Sequence, residues 1–147
     1  MKSEPAAYSI DDLERERRTY WDGVRNFQAR NFLRDSMKKG DPVLFYHSNA
    51  EPSGVAGVAR IAREGYPDPS QWDPKDVHFD PRAAKEKPLW YVVDVEFVEK
   101  FRSFVPLEAL KAERGLKDML VTRRGTRLSV QPVAKGHFET VRRMGTR

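Results

Sequence analysis

The 147-residue sequence contains no cysteine and only three histidines. Without cysteine the chain has no disulfide, no thiol nucleophile and no zinc–thiolate site. The histidines are His47, His78 and His137, about 30 and 60 residues apart, and no two of them form a metal-binding pair at helical spacing. We therefore expect no metal site and no cofactor.

Long apolar runs are also missing. No stretch approaches the roughly 18 apolar residues that cross a bilayer, and residues 1–5 lack the apolar core of a secretory signal. We expect a soluble intracellular protein without a membrane partner, cytoplasmic or, if the source is eukaryotic, nuclear. A chain of this length can bury one core, so we predict a single domain over residues 1–147 and assume a monomer.

Recognisable catalytic motifs are absent as well. The sequence has no Gly-x-Ser-x-Gly elbow, no phosphate-binding glycine loop and no dinucleotide fingerprint. His47 and Ser48 are adjacent, but neighbouring side chains on a strand point to opposite faces, which disfavours a base–nucleophile pair. We predict that the protein is not an enzyme. An enzyme that uses His47 as a general base on a modified base remains a minor alternative.

The charge balance is basic but dispersed, with 27 basic and 22 acidic residues, a net charge of +5 and a pI near 9.6. Arginines become denser near the C-terminus, at Arg123, Arg124, Arg127, Arg142, Arg143 and Arg147. If both groups fold onto one face, they form a phosphate-binding patch. The alternative is an ordinary solvated surface.

The stretch from Trp21 to Asn31 is chemically the most varied part of the chain. An aromatic, an acid, a glycine and an arginine directly precede a predicted helix. The N-terminus of a helix favours an anionic or acceptor-bearing ligand, and the indole of Trp21 offers a face to a planar one. The alternative is that Trp21 and Phe27 belong to the core and that Arg25 is a surface charge.

Periodicity and turn residues predict a mixed sheet with surrounding helices, a small α+β barrel. Ser9 is predicted to cap a helix that runs to about Arg18, and a second helix is predicted to end near Lys39. The other predicted elements are strands at 1–5, 43–46, 54–63, 89–98 and 127–132, and helices at 107–113 and near the C-terminus. The loop at 66–88 is either a lid over a ligand or packed scaffold.

A binding function uses more of the unusual residues than catalysis does. Candidate stacking surfaces are Trp21, Tyr46, Tyr66, Trp72, Phe79 and Trp90. Candidate hydrogen-bonding groups are Ser3, Asn26, His47, Ser48 and Asp80. Stacking of a nucleobase on an aromatic ring contributes about 1–3 kcal/mol but tolerates any base, so polar groups have to supply selectivity. For most of these aromatics, packing in the core is the alternative role.

Five motifs, in order along essentially the whole chain, resemble the EVE domain family. They are Lys2-Ser3-Glu4-Pro5, Trp21-Asp22-Gly23-Val24-Arg25-Asn26 with Gln28-Ala29-Arg30-Asn31, Phe45-Tyr46-His47-Ser48, Tyr66-Pro67-Asp68-Pro69, and Arg127-Leu128-Ser129-Val130-Gln131-Pro132. The resemblance implies a PUA-like fold, which is a bent mixed β-barrel with flanking helices related to YTH domains.

The resemblance also implies a function. It indicates a non-catalytic reader of nucleic acid that carries a modified base, with modified cytosine in DNA favoured and a modified RNA base as the second option. The implied ligand-binding residues are Ser3, Glu4, Trp21, Val24, Arg25, Asn26, Tyr46, His47, Ser48, Tyr66, Pro67, Asp68 and Arg127. In this hypothesis Trp21 stacks on the base, polar side chains bind its edges, and Arg25 and Arg127 hold phosphates. The alternative is a small-molecule or nucleotide sensor that uses the same pocket without polymer contact.

Overall fold

A five-stranded mixed sheet with four surrounding α-helices forms the part of the chain that the structure, a computed structural model, describes: residues 1–123 and 128–147. The strands are β1 (Lys2–Ser3), β2 (Arg18–Tyr20), β3 (Pro42–His47), β4 (Gly54–Pro67) and β5 (Tyr91–Pro106). The helices are α1 (Ile10–Glu16), α2 (Phe27–Asn31), α3 (Leu107–Ala112) and α4 (Lys135–Thr146), and a π-helix at Phe32–Ser36 continues α2. The predicted α+β class is confirmed.

The strand order is β1-β3-β4-β5-β2, with β1 parallel to β3 and the other pairs antiparallel. The pairing of β4 with β5 shifts register between Val55 and Gly57 and at three further places. Such bulges bend and twist a sheet. They explain how two long strands curve into the wall of a barrel.

Strand β3 shows why both faces of the sheet are buried. Successive side chains of a strand point to opposite faces. Val43 and Phe45 pack into one apolar cluster, the first core, whereas Leu44 and Tyr46 pack into another, the second core. The first core contains Ile10, Leu13, Val24, Ala29, Leu33, Val43, Phe45, Ala56, Ala59, Ile61, Val93, Val95 and Val130. The second core contains Leu44, Tyr46, Val55, Val58, Phe101, Val105, Leu110, Leu116, Met119 and Val141.

The first predicted helix is correct at its start and wrong at its end. Ser9 caps α1 with its hydroxyl on the N–H of Asp12, and the Asp12 carboxylate accepts from the N–H of Ser9, a capping box. The helix ends at Glu16 because Arg17 has a φ of 70°, which breaks the helical path. Arg18, predicted as the last residue of the helix, instead begins β2, where it pairs with Glu96.

The second predicted helix is also shorter than expected, since its helical path ends at Ser36 and not near Lys39. The predicted apolar spacing is nevertheless confirmed, with Ala29 and Leu33 fully buried and Met37 packed against the first core. The strand predicted at 127–132 is wrong for residues 128–132, which form no strand, although Ser129 O accepts a hydrogen bond of 2.8 Å from Lys2 N. Position 127 lies outside the described residues.

The ends of the segment at 66–88 pack as scaffold. Strand β4 extends to Pro67, and a 3₁₀-helix follows at Pro69–Trp72. Gln71 is fully buried, its amide nitrogen donates to Asp68 O and Trp90 O, and its amide oxygen accepts from the N–H groups of Leu89 and Trp90. The three bonds to Leu89 and Trp90 tie the beginning of the segment to the residues that follow its end. Within residues 1–123 and 128–147, no helix has the length and apolar composition needed to cross a membrane.

Candidate functional site

Ser3 and His47 come together where β1 pairs with β3, directly opposite each other in the register. The Ser3 hydroxyl donates to Tyr8 O at 2.6 Å, so its oxygen keeps its acceptor capacity. The Nε2 atom of His47 accepts from the N–H of Ile10, the first residue of α1, at 3.1 Å. Burial lowers the pKa of His47, which keeps the ring neutral at pH 7. The remaining proton is then on Nδ1, and His47 can offer only a donor to a ligand.

Trp21 lies on the same face of the sheet as His47. Its backbone N–H donates to Val93 O at 2.8 Å, and its partly buried indole meets Phe45 edge-to-face with ring centroids 5.6 Å apart. Phe45 and His47 are two residues apart on β3 and therefore share a face, with centroids 5.8 Å apart. Phe45 thus links Trp21 to His47, and strand pairing places Ser3 opposite His47, so three of the predicted residues form one chain of neighbours.

A buried carboxylate fixes the turn that follows Trp21. One oxygen of Asp68 accepts from the N–H of Gly23 at 3.1 Å and from Arg25 at 3.0 Å, and the other accepts from the N–H and hydroxyl of Ser70 at 2.8 and 2.6 Å. Burial opposes ionisation, but the hydrogen bonds from Ser70, Gly23 and Arg25 outweigh it and lower the pKa of Asp68. The charged carboxylate is the anchor of the turn.

Arg25 bridges this turn to the segment at 68–78. Its guanidinium makes five hydrogen bonds inside the protein: to Val24 O and Asp68 through Nη1, to Ser70 and His78 O through Nη2, and to His78 O through Nε. A guanidinium has five N–H donors, so all of them are used. The geometry favours a structural role for Arg25 over the predicted phosphate contact.

The imidazole of His78, in the segment at 66–88, packs against Gly23 of the turn. The φ of Gly23, 78°, is in the left-handed region, and a Cβ placed on this residue would lie 2.6 Å from His78 Nε2. Gly23 is therefore required both for its backbone conformation and for the close approach of the imidazole. The sequence does not predict His78 as a site residue, because its neighbours in the chain do not indicate this contact.

Replacing Gly23 by alanine is expected to lower the free energy of unfolding by about 2 kcal/mol. About 1 kcal/mol of this comes from the left-handed backbone and the rest from moving His78. Gly40→Ala is the matched control, since Gly40 also has a positive φ, 92°, but nothing lies within 4 Å of its Cβ position. Urea unfolding of both variants at pH 7 provides the measurement. Equal losses would show that the imidazole moves aside freely and does not support the turn.

Four other predicted residues border the same region. Val24 is buried in the first core. Asn26 caps α2, with Oδ1 accepting from the N–H of Ala29 at 3.0 Å, which leaves its amide N–H groups as donors. Glu4 accepts a bond of 2.7 Å from the side-chain amide of Asn49, and the N–H of Ser48 donates to Ser3 O at 2.9 Å.

The structure separates Tyr46 and Tyr66 from Trp21. Tyr46 points to the second core, on the opposite face from His47, and Lys2 Nζ lies 5.8 Å from its ring centre. The Tyr66 hydroxyl donates to Asp94 at 2.5 Å, and burial together with Asp94 raises its pKa to about 12. Asp94 alternates with Val93 and Val95 of the first core, so Tyr66 lies on the outer face. Tyr46 and Tyr66, two of the predicted ligand-binding residues, therefore do not lie beside Trp21 and His47.

Two predictions about this surface remain open. Pro67 pairs with Tyr91 at the end of β4, beside the anchoring Asp68. The basic patch near the C-terminus is only partly described, because positions 124 and 127, including the predicted ligand-binding Arg127, lie outside the described residues. Of the remaining arginines, Arg142 donates to Glu99 at 2.7 Å and Arg123 lies 3.8 Å from Asp118.

A cavity of about 660 Å³ opens at another part of the barrel. The π-helix, the start of β3 and the segment at 130–142 line it, and none of the predicted site residues in the described ranges does. Phe32, Met37 and Phe138 give it a largely apolar wall, which sequence patterns do not distinguish from core. Across residues 1–123 and 128–147, no three histidine or carboxylate side chains are grouped so as to hold a metal ion.

Comparison with known sequences places the whole chain in one family. The sequence model described as EVE domain matches residues 1–144. Human thymocyte nuclear protein 1 is 42% identical over 160 aligned residues, which cover 96% of this chain and 70% of that protein. The chain spans 65% of the length of the chicken protein of the same name.

Solved structures give the same result for the fold. A protein from Pseudomonas syringae superposes with a TM-score of 0.93 at 42% identity, over 98% of this chain and 96% of that chain. Human THYN1 protein in complex with DNA containing 5-methylcytosine superposes with a TM-score of 0.92 at 40% identity, over 100% of this chain and 96% of that chain.

Proposed function

The chain belongs to the EVE domain family, and from this membership we propose that it is a non-catalytic reader of a modified base, with 5-methylcytosine in DNA as the favoured ligand. The observation that carries the proposal is the likeness, across the whole chain, to a human protein whose structure is a complex with 5-methylcytosine-containing DNA. The cluster of Ser3, Trp21 and His47 supplies the chemistry. A fold likeness alone does not identify a ligand, so the argument depends on the side chains.

The hydrogen-bonding groups that remain free in this cluster, together with those of Asn26 in the turn that follows Trp21, suit the edge of cytosine, which has an amine donor and two acceptors. The Ser3 oxygen, whose own proton goes to Tyr8 O, is an acceptor for the amine. Asn26 keeps its amide donors for the ring nitrogen or carbonyl, because its oxygen caps α2. His47 adds a second donor through Nδ1. We propose that these groups read the base while the indole of Trp21 stacks on it.

The phosphate contacts of the proposal come from exposed basic side chains and not from Arg25. Lys85 and Lys87 are exposed in a turn closed by the bond from Lys87 N to Ala84 O at 2.9 Å. This turn leads into Trp90, which stacks on Phe27 at the start of α2 with centroids 4.7 Å apart. The lysines thus lie three and five residues before a ring that packs against the start of α2, and we propose that they contact phosphates.

Binding to short oligonucleotides tests the proposal. Wild-type protein is titrated with single strands carrying one 5-methylcytosine, cytosine or thymine, as DNA and RNA, at several salt concentrations. Burial of one methyl group contributes about 0.8 kcal/mol, so we expect about a fourfold preference for 5-methylcytosine over cytosine. Affinity for the polymer is expected to fall steeply with salt.

Two results would contradict the proposal. Equal affinity for all bases at every salt concentration would mean that the protein binds nucleic acid through charge attraction alone and does not read the base. Tight binding of the free nucleoside, with no gain from the polymer and no salt dependence, would instead indicate the sensor function.

Phe138→Ala, in the wall of the 660 Å³ cavity, then tests whether that cavity is the binding site. Recovery of unchanged nucleoside after long incubation is the expected sign that no catalysis occurs.

A further inference from the structure

The middle of the segment at 66–88 carries an unusually exposed apolar side chain. Val77 has 92% of its surface accessible, compared with 50% for Tyr20, the next most exposed large hydrophobic residue in the described part of the chain. Single exposed apolar residues are common on proteins. Two features distinguish Val77. Hydrogen bonds fix the backbone around it, and the next residue contacts the turn that follows Trp21.

Val77 lies in the tip of this segment, residues 73–79, and hydrogen bonds on both sides of Val77 fix the backbone there. The carboxylate of Asp73 accepts from the N–H of Lys75 at 2.9 Å, and the carboxylate of Asp76 accepts from the N–H of His78 at 2.8 Å. The N–H of Asp76 also donates to Asp73 O, and that of Phe79 donates to Asp76 O. The chain therefore makes two consecutive turns, at 73–76 and 76–79, and Val77 projects from the second.

The tip is also fastened to the turn that follows Trp21. Arg25 donates two hydrogen bonds to His78 O, at 2.8 and 3.2 Å, and the imidazole of His78 occupies the space over Gly23. Val77 is thus one residue away from two direct contacts with the turn. Its position relative to Trp21 is set by the Arg25–Asp68 anchor at the base of the segment.

A base that leaves a duplex leaves a gap in the stack, and opening it costs a few kcal/mol. Apolar side chains inserted between base steps fill such gaps in proteins that deform DNA. The carboxylates of Asp73 and Asp76 each accept a hydrogen bond from a backbone N–H of the tip, and the exposed Lys75 between them adds a positive charge, so the tip is not a purely negative surface. We infer that Val77 is a wedge that enters the base stack of duplex DNA while the modified base turns toward Trp21. This inference rests on the proposed function.

Comparison of duplex and single-stranded DNA tests the wedge. The probes are a 20-base-pair duplex with one central 5-methylcytosine and the same modified strand alone, with 2-aminopurine beside the modified base to report unstacking. Val77→Thr keeps the shape of the side chain and makes it polar. We expect it to weaken duplex binding about three- to tenfold, to reduce the rise in 2-aminopurine fluorescence, and to leave single-strand binding within about twofold.

Val98→Thr is the matched control, because Val98 is an exposed valine on β5, and it should change neither affinity. Unchanged duplex binding by Val77→Thr would overturn the wedge, and so would an equal loss on duplex and single strand. The two proposals fail in different ways. If the wild type shows no preference for 5-methylcytosine even in a single strand, the proposed function fails and the wedge fails with it. If that preference is present and only the duplex effect of Val77→Thr is missing, the wedge alone fails.

Discussion

Trp21→Ala is expected to weaken binding of a single strand carrying 5-methylcytosine by about 5- to 150-fold, which corresponds to the loss of one base–aromatic stack worth about 1–3 kcal/mol. The preference over cytosine should disappear as well, because the methyl group is then no longer held against an indole. Trp21→Phe, which keeps an aromatic face, should retain most of the affinity. Fluorescence anisotropy at constant salt measures all three proteins.

Loss of fold has to be separated from loss of stacking in this experiment. Trp21 packs edge-to-face on Phe45 of the first core, a contact worth about 0.5–1.5 kcal/mol. Titrations are therefore made well below the melting temperature of Trp21→Ala, determined by circular dichroism. Trp72→Phe controls for replacing a tryptophan elsewhere. Unchanged selectivity in folded Trp21→Ala would remove Trp21 from the site and leave the ligand without its stacking residue.

Local chemistry made part of this site predictable. The cap at Ser9, the apolar spacing of Ala29 and Leu33, and the glycine before the second helix depend on residues a few positions apart, and short-range rules describe them well. The same holds for the interpretation of the Trp21 to Asn26 turn as the entrance of a helix, since Asn26 caps α2. The family resemblance supplied the overall fold, which local patterns indicated only as a mixed sheet.

The sequence could not supply the long-range partners. Arg25 and Asp68 are 43 residues apart, and nothing near either one indicates a shared hydrogen bond. An arginine before a helix is typical of a phosphate contact, and only the four acceptor atoms around its guanidinium indicate otherwise. Strand β2 is not predictable from local patterns, because its pairing with β5 overrides the helical propensity of Arg17 and Arg18. Tyr46 is a different case, because alternation along β3 is a local rule and already places its side chain opposite that of His47.

Arg25→Met gives the sharpest test of the structural role of this arginine. Removing the guanidinium leaves the fully buried Asp68 carboxylate without its charged partner, and breaking a buried pair in this way costs about 3–5 kcal/mol. We expect urea unfolding to show a decrease of this size in the free energy of unfolding. Arg25→Lys should recover little of this free energy, because one ammonium group cannot reach the four acceptor atoms that the planar guanidinium contacts.

The salt dependence of DNA binding then distinguishes an internal arginine from a phosphate ligand. Removing one phosphate contact from a complex with a single strand makes the slope of log affinity against log salt shallower by about 0.7. At a temperature where the protein is folded, Arg25→Met should keep the wild-type slope, whereas Lys85→Ala should reduce its steepness by about that amount. A normal unfolding free energy together with a shallower slope for Arg25→Met would restore the phosphate role. An unchanged slope with a large decrease in the free energy of unfolding would instead show that Arg25 is structural. Arg25 would then hold the Trp21 turn and the Val77 tip in one arrangement. Both binding proposals depend on that arrangement.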